Sequence, residues 1–362
     1  MNQTAKNILF AVLGLITVGM IGLAAFRYFA PDPSTSGTKG ASTSDASHDP
    51  EATVYISENG GKNWRGLSGV RFGVADMVFH PLEKVVFIAT AKQGLWKSNE
   101  TMNILTHLED ADGKITSADS VSDLYAPLQG GEANLYFATM YEKRGRLVSL
   151  RDGIFSERYF SPLDNVPVLD ISGNPTDPKT VLFVSGESLF ESKDAGTTWR
   201  LVFRFKTAPT SIVIHPLVPG RMWVTAKRGG LWKSDDYGKT WKDIRRGLSS
   251  FRGAYDNQRL FINQVTGILY LISDYGLLSS WDDGASWKSL PLIVQPDTLP
   301  IIEFAFHPQH PEIIYVAAAS QLYKSTDGGV TWQGTQFSGK GNITSIIIDP
   351  ETPERIFIGF SK

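Results

Sequence analysis

Cysteine is missing from this sequence of 362 residues. Its absence excludes disulfides, thiolate zinc sites, iron–sulfur clusters, cysteine nucleophiles and an anchor attached through a lipid-modified cysteine. An excess of charge is missing too, because 35 basic residues stand against 37 acidic ones and leave a formal net charge of −2. We therefore expect no nucleic-acid partner, since such partners are recognised through a strongly basic surface.

Long hydrophobic runs are also scarce, and the clearest one lies near the start of the chain. Residues 8–25 carry no charge, and at about 1.5 Å per residue a helix of this length just reaches across a bilayer core of about 30 Å. We predict a cytoplasmic tail over 1–7 and a transmembrane signal anchor over 8–29. A cleaved secretory signal is the alternative, because Gly22 and Ala24 place small residues before Ala25.

The next segment predicts a tether rather than a folded unit. Residues 31–52 contain no large apolar side chain, so they cannot bury enough surface to offset the entropy lost on ordering. We predict a flexible linker over 30–52 and a folded domain over 53–362. The short tail favours an inside amino end, so the domain is expected on the extracytoplasmic side, periplasmic or extracellular, with the lipid bilayer as one partner.

One internal repeat, with a period of about 45 residues, dominates the folded region. A Ser-x-Asp-x-Gly-x-x-Trp motif recurs along it, with Asn replacing Asp in the first copy. Its positions are Ser57, Asn59, Gly61, Trp64; Ser192, Asp194, Gly196, Trp199; Ser234, Asp236, Gly238, Trp241; Ser280, Asp282, Gly284, Trp287; and Ser325, Asp327, Gly329, Trp332. Degenerate copies around Trp96 and Asp152 fill the interval between Trp64 and Trp199.

Each motif copy is predicted to be the turn of a β-hairpin. The Asp or Asn oxygen accepts backbone N–H groups, Gly adopts a positive φ, Ser braces the turn, and Trp packs between neighbouring sheets. Two more strands precede each motif, the first ending in a proline turn such as His215-Pro216. Each repeat is therefore a blade of four antiparallel strands, A to D.

The two ends of the domain predict how it closes. The domain begins at Thr53 with strands C and D and finishes with strands A and B before Lys362. Six whole repeats and one split repeat make an all-β, seven-bladed β-propeller. A closing blade shared by the two ends of the domain removes the exposed sheet edges that an open array would leave.

The motif resembles the Asp-box, or bacterial neuraminidase repeat, of sialidases, sortilin-type propellers, xyloglucanase-like glycosidases and the photosystem II assembly and stability factor family. In those families the box is a structural turn remote from the catalytic centre. The resemblance to the assembly factors implies a non-catalytic scaffold that binds a membrane or extracytoplasmic protein. The resemblance to the glycosidases implies the alternative, a carbohydrate-binding propeller or divergent glycoside hydrolase, with a glycan as partner.

Residue patterns that would favour an enzyme are missing. The sequence has no Gly-rich phosphate loop, no Gly-x-Ser-x-Gly elbow and no Phe-Arg-Ile-Pro element of the sialidases. His80, His215 and His307 precede proline at equivalent repeat positions and lack metal-ligand spacing, so we interpret them as structural. We predict no catalytic residue, no metal and no cofactor, and an enzyme is the less favoured alternative.

One position of strand A carries polar side chains in every repeat. These residues are Asp76, Asp170, Ser211, Glu303 and Ser345, with Ser122 or Asp123 and Arg259 in the less regular copies. Because strand A lines the central channel of a propeller, we expect a channel ring, with Asp76, Asp170, Arg259 and Glu303 as its charged members. The ring would hold a cation or water, or simply be a solvated lining.

Strand order also predicts two different faces. The A–B and C–D turns, with the motif aspartates, lie on one face, and the B–C and D–A connections lie on the other. Candidate partner-binding residues on the second face are Lys143, Arg144, Arg146, Lys227, Arg228, Arg245 and Arg246. We predict that this face meets anionic headgroups or an acidic membrane protein, the alternative being solvated loops.

Two irregular repeats are further candidates for binding. In the unit over 114–160, which lacks the motif Trp, we predict a longer B–C loop from Met140 to Arg146, which indicates either a binding site or drift. Trp281 stands inside its turn where the other copies have polar residues. We expect it either to anchor a partner or to cover neighbouring loop carbons.

Overall fold

A computed structural model describes residues 51–362, apart from residues 68, 111–112, 114, 117–118, 128–134, 227–228, 291–300 and 308–309. In this part of the chain the strands form seven four-stranded antiparallel sheets, which are the blades of a propeller. The predicted all-β, seven-bladed fold is therefore confirmed. The predicted tail, the anchor over 8–29 and all of the linker except Glu51 and Ala52 lie outside the described residues.

The strands follow one another in blade order along the chain. Strands C and D of blade 7 are β1 (Val54–Ser57) and β2 (Arg65–Gly66); blade 1 is β3 (Val74–His80), β4 (Val85–Thr90), β5 (Leu95–Ser98) and β6 (Leu105–Leu108); blade 2 is β7 (Val121–Tyr125), β8 (Leu135–Tyr141), β9 (Arg144–Arg151) and β10 (Ile154–Phe160); blade 3 is β11 (Val168–Asn174), β12 (Asp177–Ser185), β13 (Ser188–Ser192) and β14 (Arg200–Arg204). Blade 4 is β15 (Pro209–Ile214), β16 (Met222–Ala226), β17 (Gly230–Ser234) and β18 (Lys242–Asp243); blade 5 is β19 (Arg259–Ile262), β20 (Leu269–Ser273), β21 (Gly276–Ser280) and β22 (Lys288–Ser289); blade 6 is β23 (Ile301–Phe306), β24 (Ile314–Ala318), β25 (Gln321–Ser325) and β26 (Gln333–Gln336); strands A and B of blade 7 are β27 (Ile343–Ile348) and β28 (Ile356–Phe360). A 3₁₀ helix, Arg245–Leu248, lies between blades 4 and 5.

Blade 7 joins strands from both ends of the domain. Strand β1 pairs antiparallel with β28, so that Val54 stands opposite Gly359 and Ser57 opposite Ile356. The pairing gives the sheet the order β2-β1-β28-β27. The predicted split closing blade is therefore confirmed, and no free sheet edge separates blades 6 and 1 in the described part of the chain.

The hydrophobic core lies between the blades. Strand β4 shows the principle, because alternate side chains of a strand point to opposite faces of its sheet. Phe87 packs in a cluster shared with blade 2, whereas its neighbour Ile88 packs in a cluster shared with blade 7. Both faces of a middle strand are buried in this way, which is why these strands read as continuous apolar runs rather than as alternating ones.

The B–C connection of blade 2 differs from the longer loop expected. Strands β8 and β9 are joined by only two residues, Glu142 and Lys143, and Tyr141 pairs with Arg144. Both turn residues have positive φ, at 46° and 66°, as the tightest hairpin turns require. The turn lacks the Asn or Gly that usually marks this geometry, so the sequence did not reveal it.

No helix among the described residues has the length and apolar character needed to cross a membrane.

Candidate functional site

The repeated motif forms one hydrogen-bonded turn between strands C and D. In blade 5, Ser280 Oγ accepts a bond from Gly284 N at 2.8 Å and donates one to Asp282 Oδ1 at 2.9 Å. Asp282 accepts bonds from Ser286 N at 2.8 Å and from Ser286 Oγ at 2.6 Å. The same Ser-to-Gly bond closes the turns at Ser57, Ser192, Ser234 and Ser325. The motif polar groups thus serve the turn itself.

Two consecutive left-handed residues bend each motif turn. The motif glycine has a φ of +86° in Gly284, a conformation that a side chain resists. The residue before it is left-handed as well, at +62° in both Tyr237 and Asp283. The motif does not mark this second position, which holds Gly, Ala, Tyr or Asp in the different copies.

The motif turns of blades 5 and 3 also contact the preceding blade. Trp287 packs with Trp223 and Leu231 of blade 4. The backbone carbonyl of Asp283 accepts a bond from Trp223 Nε1 at 3.0 Å, and that of Ala195 accepts one from Tyr136 Oη of blade 2 at 2.9 Å. Sequence reasoning placed the tryptophans between the blades but missed these carbonyl contacts.

The aspartates of the motif turns remain ionised. Hydrogen bonds from Thr198 lower the pKa of Asp194 to about 2, and those from Thr240 lower the pKa of Asp236 to about 2. These side chains therefore carry negative charge throughout the physiological range.

The histidines before proline cap the A–B turns. His80 Nδ1 accepts a bond from Glu83 N at 3.1 Å, and His215 Nδ1 accepts one from Leu217 N at 3.0 Å. Asp349 holds the equivalent position in blade 7 and accepts a bond from Glu351 N at 2.8 Å. A shared turn contact explains why this position alternates between His and Asp.

The residues of the channel ring follow a bulge in strand A. In six blades the A–B pairing shifts by one residue immediately before the ring position: Asp76, Asp123, Asp170, Ser211, Glu303 and Ser345. In blade 5, Arg259 of β19 pairs with Ile272 in a regular register. Such bulges re-aim side chains, and here they identify Asp123 rather than Ser122 as the ring residue of blade 2.

The acidic ring residues brace the next blade. Asp76 Oδ2 accepts a bond from Leu124 N at 3.0 Å, Asp123 Oδ2 accepts one from Ile171 N at 2.8 Å, and Asp170 Oδ2 accepts one from Ile212 N at 2.6 Å. Ser345 Oγ accepts a bond from Met77 N at 3.1 Å and continues the pattern across the closing seam. Each donor N–H belongs to the residue that directly follows the ring residue of the next blade. These bonds therefore link the innermost strands of blades 7, 1, 2, 3 and 4 in succession.

Burial changes the protonation of these carboxyl groups. Burial raises the pKa of Asp76 to about 7, with a further contribution from Glu303, and it raises the pKa of Asp170 to about 7 as well. Burial, together with Asp170 and Asp76, also raises the pKa of Asp123 well above its usual range. The ring therefore carries less negative charge at neutral pH than its composition suggests.

Arg259 and Glu303 form the one ion pair found among the described ring residues. Arg259 Nη1 donates to Glu303 Oε2 at 2.8 Å and to the Ile302 carbonyl at 2.7 Å. In blade 4, Ser211 lies 2.7 Å from Thr225 Oγ1. Among the described residues no cluster of three or more His, Asp or Glu side chains could hold a metal ion.

The predicted basic residues of the second face do not form one exposed set. Arg146 is buried in β9, with its guanidinium 4.9 Å from the Tyr141 ring, so the expectation that it lies in an exposed loop is wrong. Arg144 stacks 4.6 Å from the Phe160 ring. Arg245 Nη2 pairs with Asp243 at 2.6 Å, whereas Lys143 and Arg246 are exposed. Lys227 and Arg228 lie outside the described residues.

Charge differs between the two faces of the described residues. On the A–B and C–D turns the acidic residues are Glu58, Glu83, Glu100, Asp152, Asp194, Asp235, Asp236, Asp282, Asp283, Glu312, Asp327, Asp349, Glu351 and Glu354, and the basic ones are Lys62, Lys84, Lys193, Arg221, Lys239 and Arg355. On the opposite connections the basic residues are balanced by acids such as Glu109, Asp110 and Asp164. The acidic face is thus pronounced, while the other face is close to neutral.

Seven sheets closed by strands from both ends of the domain place this chain in the class of seven-bladed β-propellers. No family model matches the chain. Xyloglucanase Xgh74A of Acetivibrio thermocellus is 25% identical over 197 residues, which are 48% of this chain and 20% of that protein. The chain therefore spans about a fifth of the length of the curated relatives it matches.

Solved propellers resemble the structure more completely. The GH74 xyloglucanase of Xanthomonas campestris superimposes with a TM-score of 0.64 at 17% identity, over 84% of this chain and 51% of that one. YCF48 bound to D1 peptide superimposes with a TM-score of 0.60 at 14% identity, over 89% of this chain and all of that one. At these identities the likeness shows the propeller fold alone.

Proposed function

We propose that this protein is a non-catalytic propeller that binds or assembles another protein, held at the extracytoplasmic side of a membrane by residues 8–29. The observation that carries the proposal is that the channel carboxylates are engaged in hydrogen bonds within the fold. Asp76, Asp123 and Asp170 accept backbone N–H groups of the next blade, and Glu303 accepts Arg259. Groups engaged in bracing the fold leave the loop faces as the surfaces for function.

YCF48 supports a binding role by analogy. Its propeller is covered completely by this chain in superposition, and that structure is of YCF48 bound to a peptide, D1. The membrane or extracytoplasmic protein proposed here as partner would meet the loop connections opposite the motif turns. Lys143 and Arg246 are exposed there, and Lys227 and Arg228 belong to the same set of connections by sequence.

Reversal of the exposed basic residues tests this role. The full chain and the triple variant Lys143→Glu, Arg245→Glu, Arg246→Glu are purified from membranes by affinity, and co-purifying proteins are identified by mass spectrometry. We expect the variant to lose partners, and the loss to be greatest at low salt, because exposed charges are screened within about 10 Å at 0.1 M salt. Lys62→Glu, Lys84→Glu, Lys193→Glu on the acidic face is the matched control. Identical partners for all three proteins would reject the proposal.

The membrane anchor is tested separately by deletion. A chain without residues 8–29 should move from the membrane pellet to the supernatant after carbonate extraction, because the only proposed spanning segment is gone. A deleted chain that stays in the pellet would show that the domain itself holds the membrane.

A second candidate, glycan binding or hydrolysis, is favoured by the 25% identity with xyloglucanase Xgh74A. Glycoside hydrolysis normally uses two carboxyl groups about 5–10 Å apart on either side of the scissile bond. Incubation with xyloglucan and measurement of new reducing ends should give no turnover by the full chain. Turnover that is lost in Asp123→Asn or Glu303→Gln would favour this second function over the first.

A further inference from the structure

Four exposed hydrophobic side chains lie on the motif-turn face of blades 4 and 5. The exposed fractions are 63% for Leu217, 45% for Tyr237, 60% for Val265 and 75% for Trp281. Leu217 and Val265 belong to the A–B turns of the two blades, and Tyr237 and Trp281 belong to their motif turns. We name these four residues the blade 4–5 patch.

Contacts between the two blades link the turns that carry the patch. Arg221 Nε bonds Asp235 of the blade 4 motif turn at 2.6 Å, and its Nη1 bonds Asp283 of the blade 5 motif turn at 2.7 Å. The A–B turns meet as well, because a Cβ added to Gly267 would lie 2.8 Å from His215 Nε2. The turns that carry the four hydrophobic side chains are therefore fixed against each other.

The turn itself does not require the aromatic residues. The position of Trp281 holds Glu58, Lys193, Asp235 or Thr326 in the other motif copies, and all of these turns close with the same Ser-to-Gly bond. The position of Tyr237 is held elsewhere by Gly, Ala or Asp. Exposing Trp and Tyr here is therefore a feature of this surface and not of the fold.

Carboxylates point outward around the patch while two of its cations are recessed. The side chain of Asp235 is 58% exposed, whereas those of Arg221 and Lys233, which pair with it, are only 24% and 15% exposed. Asp282 is exposed beside Trp281. Lys239 is the exposed cation of the blade 4 turn. A ligand approaching this surface thus meets apolar rings and, for the most part, negative charge.

We propose that the blade 4–5 patch is a docking site for a protein segment in which Lys or Arg side chains flank apolar ones. Apolar side chains of the segment would cover Trp281 and Tyr237, since large aromatic residues are the usual anchors of protein interfaces. Its basic side chains would meet the outward carboxylates, which favours such a segment over an acidic one. The inference rests on the proposed binding function and places a second contact surface on the face opposite the one considered there.

Short fluorescein-labelled peptides test this inference by anisotropy with the full chain. One peptide contains Lys and Leu, a second contains Glu and Leu, and a third contains Lys and Ser. The Lys–Leu peptide should bind the full chain, and Trp281→Ala should weaken that binding about tenfold or more, as the loss of a central aromatic anchor does. The matched control is Val330→Ala, because Val330 is 62% exposed on the same face but lies in blade 6; it should leave binding unchanged.

Several results would overturn the inference. It fails if the Lys–Leu peptide does not bind, if Trp281→Ala binds as tightly as the unchanged chain, or if the Glu–Leu or Lys–Ser peptide binds equally well. Self-association that disappears in Trp281→Ala would assign the patch to a second copy of this chain, and xyloglucan oligosaccharides that bind only when Trp281 is present would assign it to a glycan. None of these outcomes depends on the charge-reversal experiment, so the proposed function can stand while the patch fails.

Discussion

The motif turns and the channel ring both use aspartate oxygens to accept backbone N–H groups, yet the aspartate pKa values shift in opposite directions in the two regions. Asp236 lies in an exposed turn, where bonds from Thr240 lower its pKa to about 2. Asp76 lies in the ring, where burial and the nearby Glu303 raise its pKa to about 7. The contrast shows that a shared bonding pattern does not fix charge, because solvent access and neighbouring carboxylates can outweigh it.

The two regions also divide the work of holding the fold. The motif turn of blade 5 joins it to blade 4 through Trp287 and the Asp283 carbonyl, on the motif-turn face of the propeller. The ring joins the innermost strands of blades 1 to 4 through one carboxylate at each step. Variants in the two regions should therefore differ both in the size of their effect and in its dependence on pH.

The largest effect is expected at a motif tryptophan. Trp287→Ala should lower the free energy of unfolding by about 3–5 kcal/mol, because its ring is buried against blade 4. Trp281→Ala, in the same turn but exposed, should change it by less than about 0.5 kcal/mol. Urea unfolding followed by circular dichroism measures both. Equal losses would mean that the interface between blades 4 and 5 is not where stability resides.

A smaller loss is expected in the ring at Asp76. Its Oδ1 accepts Met77 N at 2.8 Å and its Oδ2 accepts Leu124 N at 3.0 Å. In Asp76→Asn the amide NH₂ must face one of these N–H groups, which should cost about 1–3 kcal/mol of unfolding free energy. Asp123→Asn is the matched variant, since an amide oxygen can still accept Ile171 N. At pH 8 it should be at least as stable as the unchanged chain, and a loss equal to that of Asp76→Asn would refute the distinction.

The pH dependence of stability follows from the raised pKa values of the ring. Between about pH 4, near the pKa of an unfolded aspartate, and about pH 7 the folded ring binds more protons than the unfolded chain. The free energy of unfolding should therefore fall as pH rises through this window. Urea titrations at successive pH values should show a shallower fall for Asp123→Asn. An unchanged slope in that variant would show that the ring carboxyl groups do not cause the pH dependence of stability.

The smallest effect is expected on the acid side, from the motif turns. The lowered pKa values of Asp194 and Asp236 mean that their contribution to stability is present above about pH 4 and is lost as pH falls towards about 2. Asp236→Asn should flatten this acid limb and leave the window between pH 4 and 7 as it was. A change confined to the neutral window would contradict the separation of the two regions.

Much of the fold could be predicted because the repeated motif occurs at a regular spacing. The motif tryptophans mark the blades at steps of about 45 residues, and the strands at the two ends predict the shared blade that β1 and β28 form. Predictions failed where local backbone geometry decides. The bulge before Asp123 cannot be read from Ser122-Asp123, because one inserted residue leaves no mark in the pattern of apolar residues.

The candidate sites were harder to predict than the fold for a related reason. Arg146 looked like a loop residue, but a turn of only Glu142 and Lys143 extends β9 and buries it. The acidic face arises because the A–B and C–D turns lie on the same side of the propeller. The strand order predicted this arrangement. The link between the turns that carry Tyr237 and Trp281 depends on Arg221, whose contacts cross two blades and have no signature in the repeat.

The seam in blade 7 sets the order in which the molecule can be completed. Val54 in β1 pairs with Gly359 in β28. Almost the entire domain must therefore be synthesised before β1 can pair with its partner strand. Contacts between residues so distant in sequence form slowly. Until β28 pairs with β1, the hairpin of β1 and β2 has an unpaired strand edge that other nascent chains can bind. We therefore expect the yield of closed molecules to depend on protection of that hairpin until β28 has been synthesised.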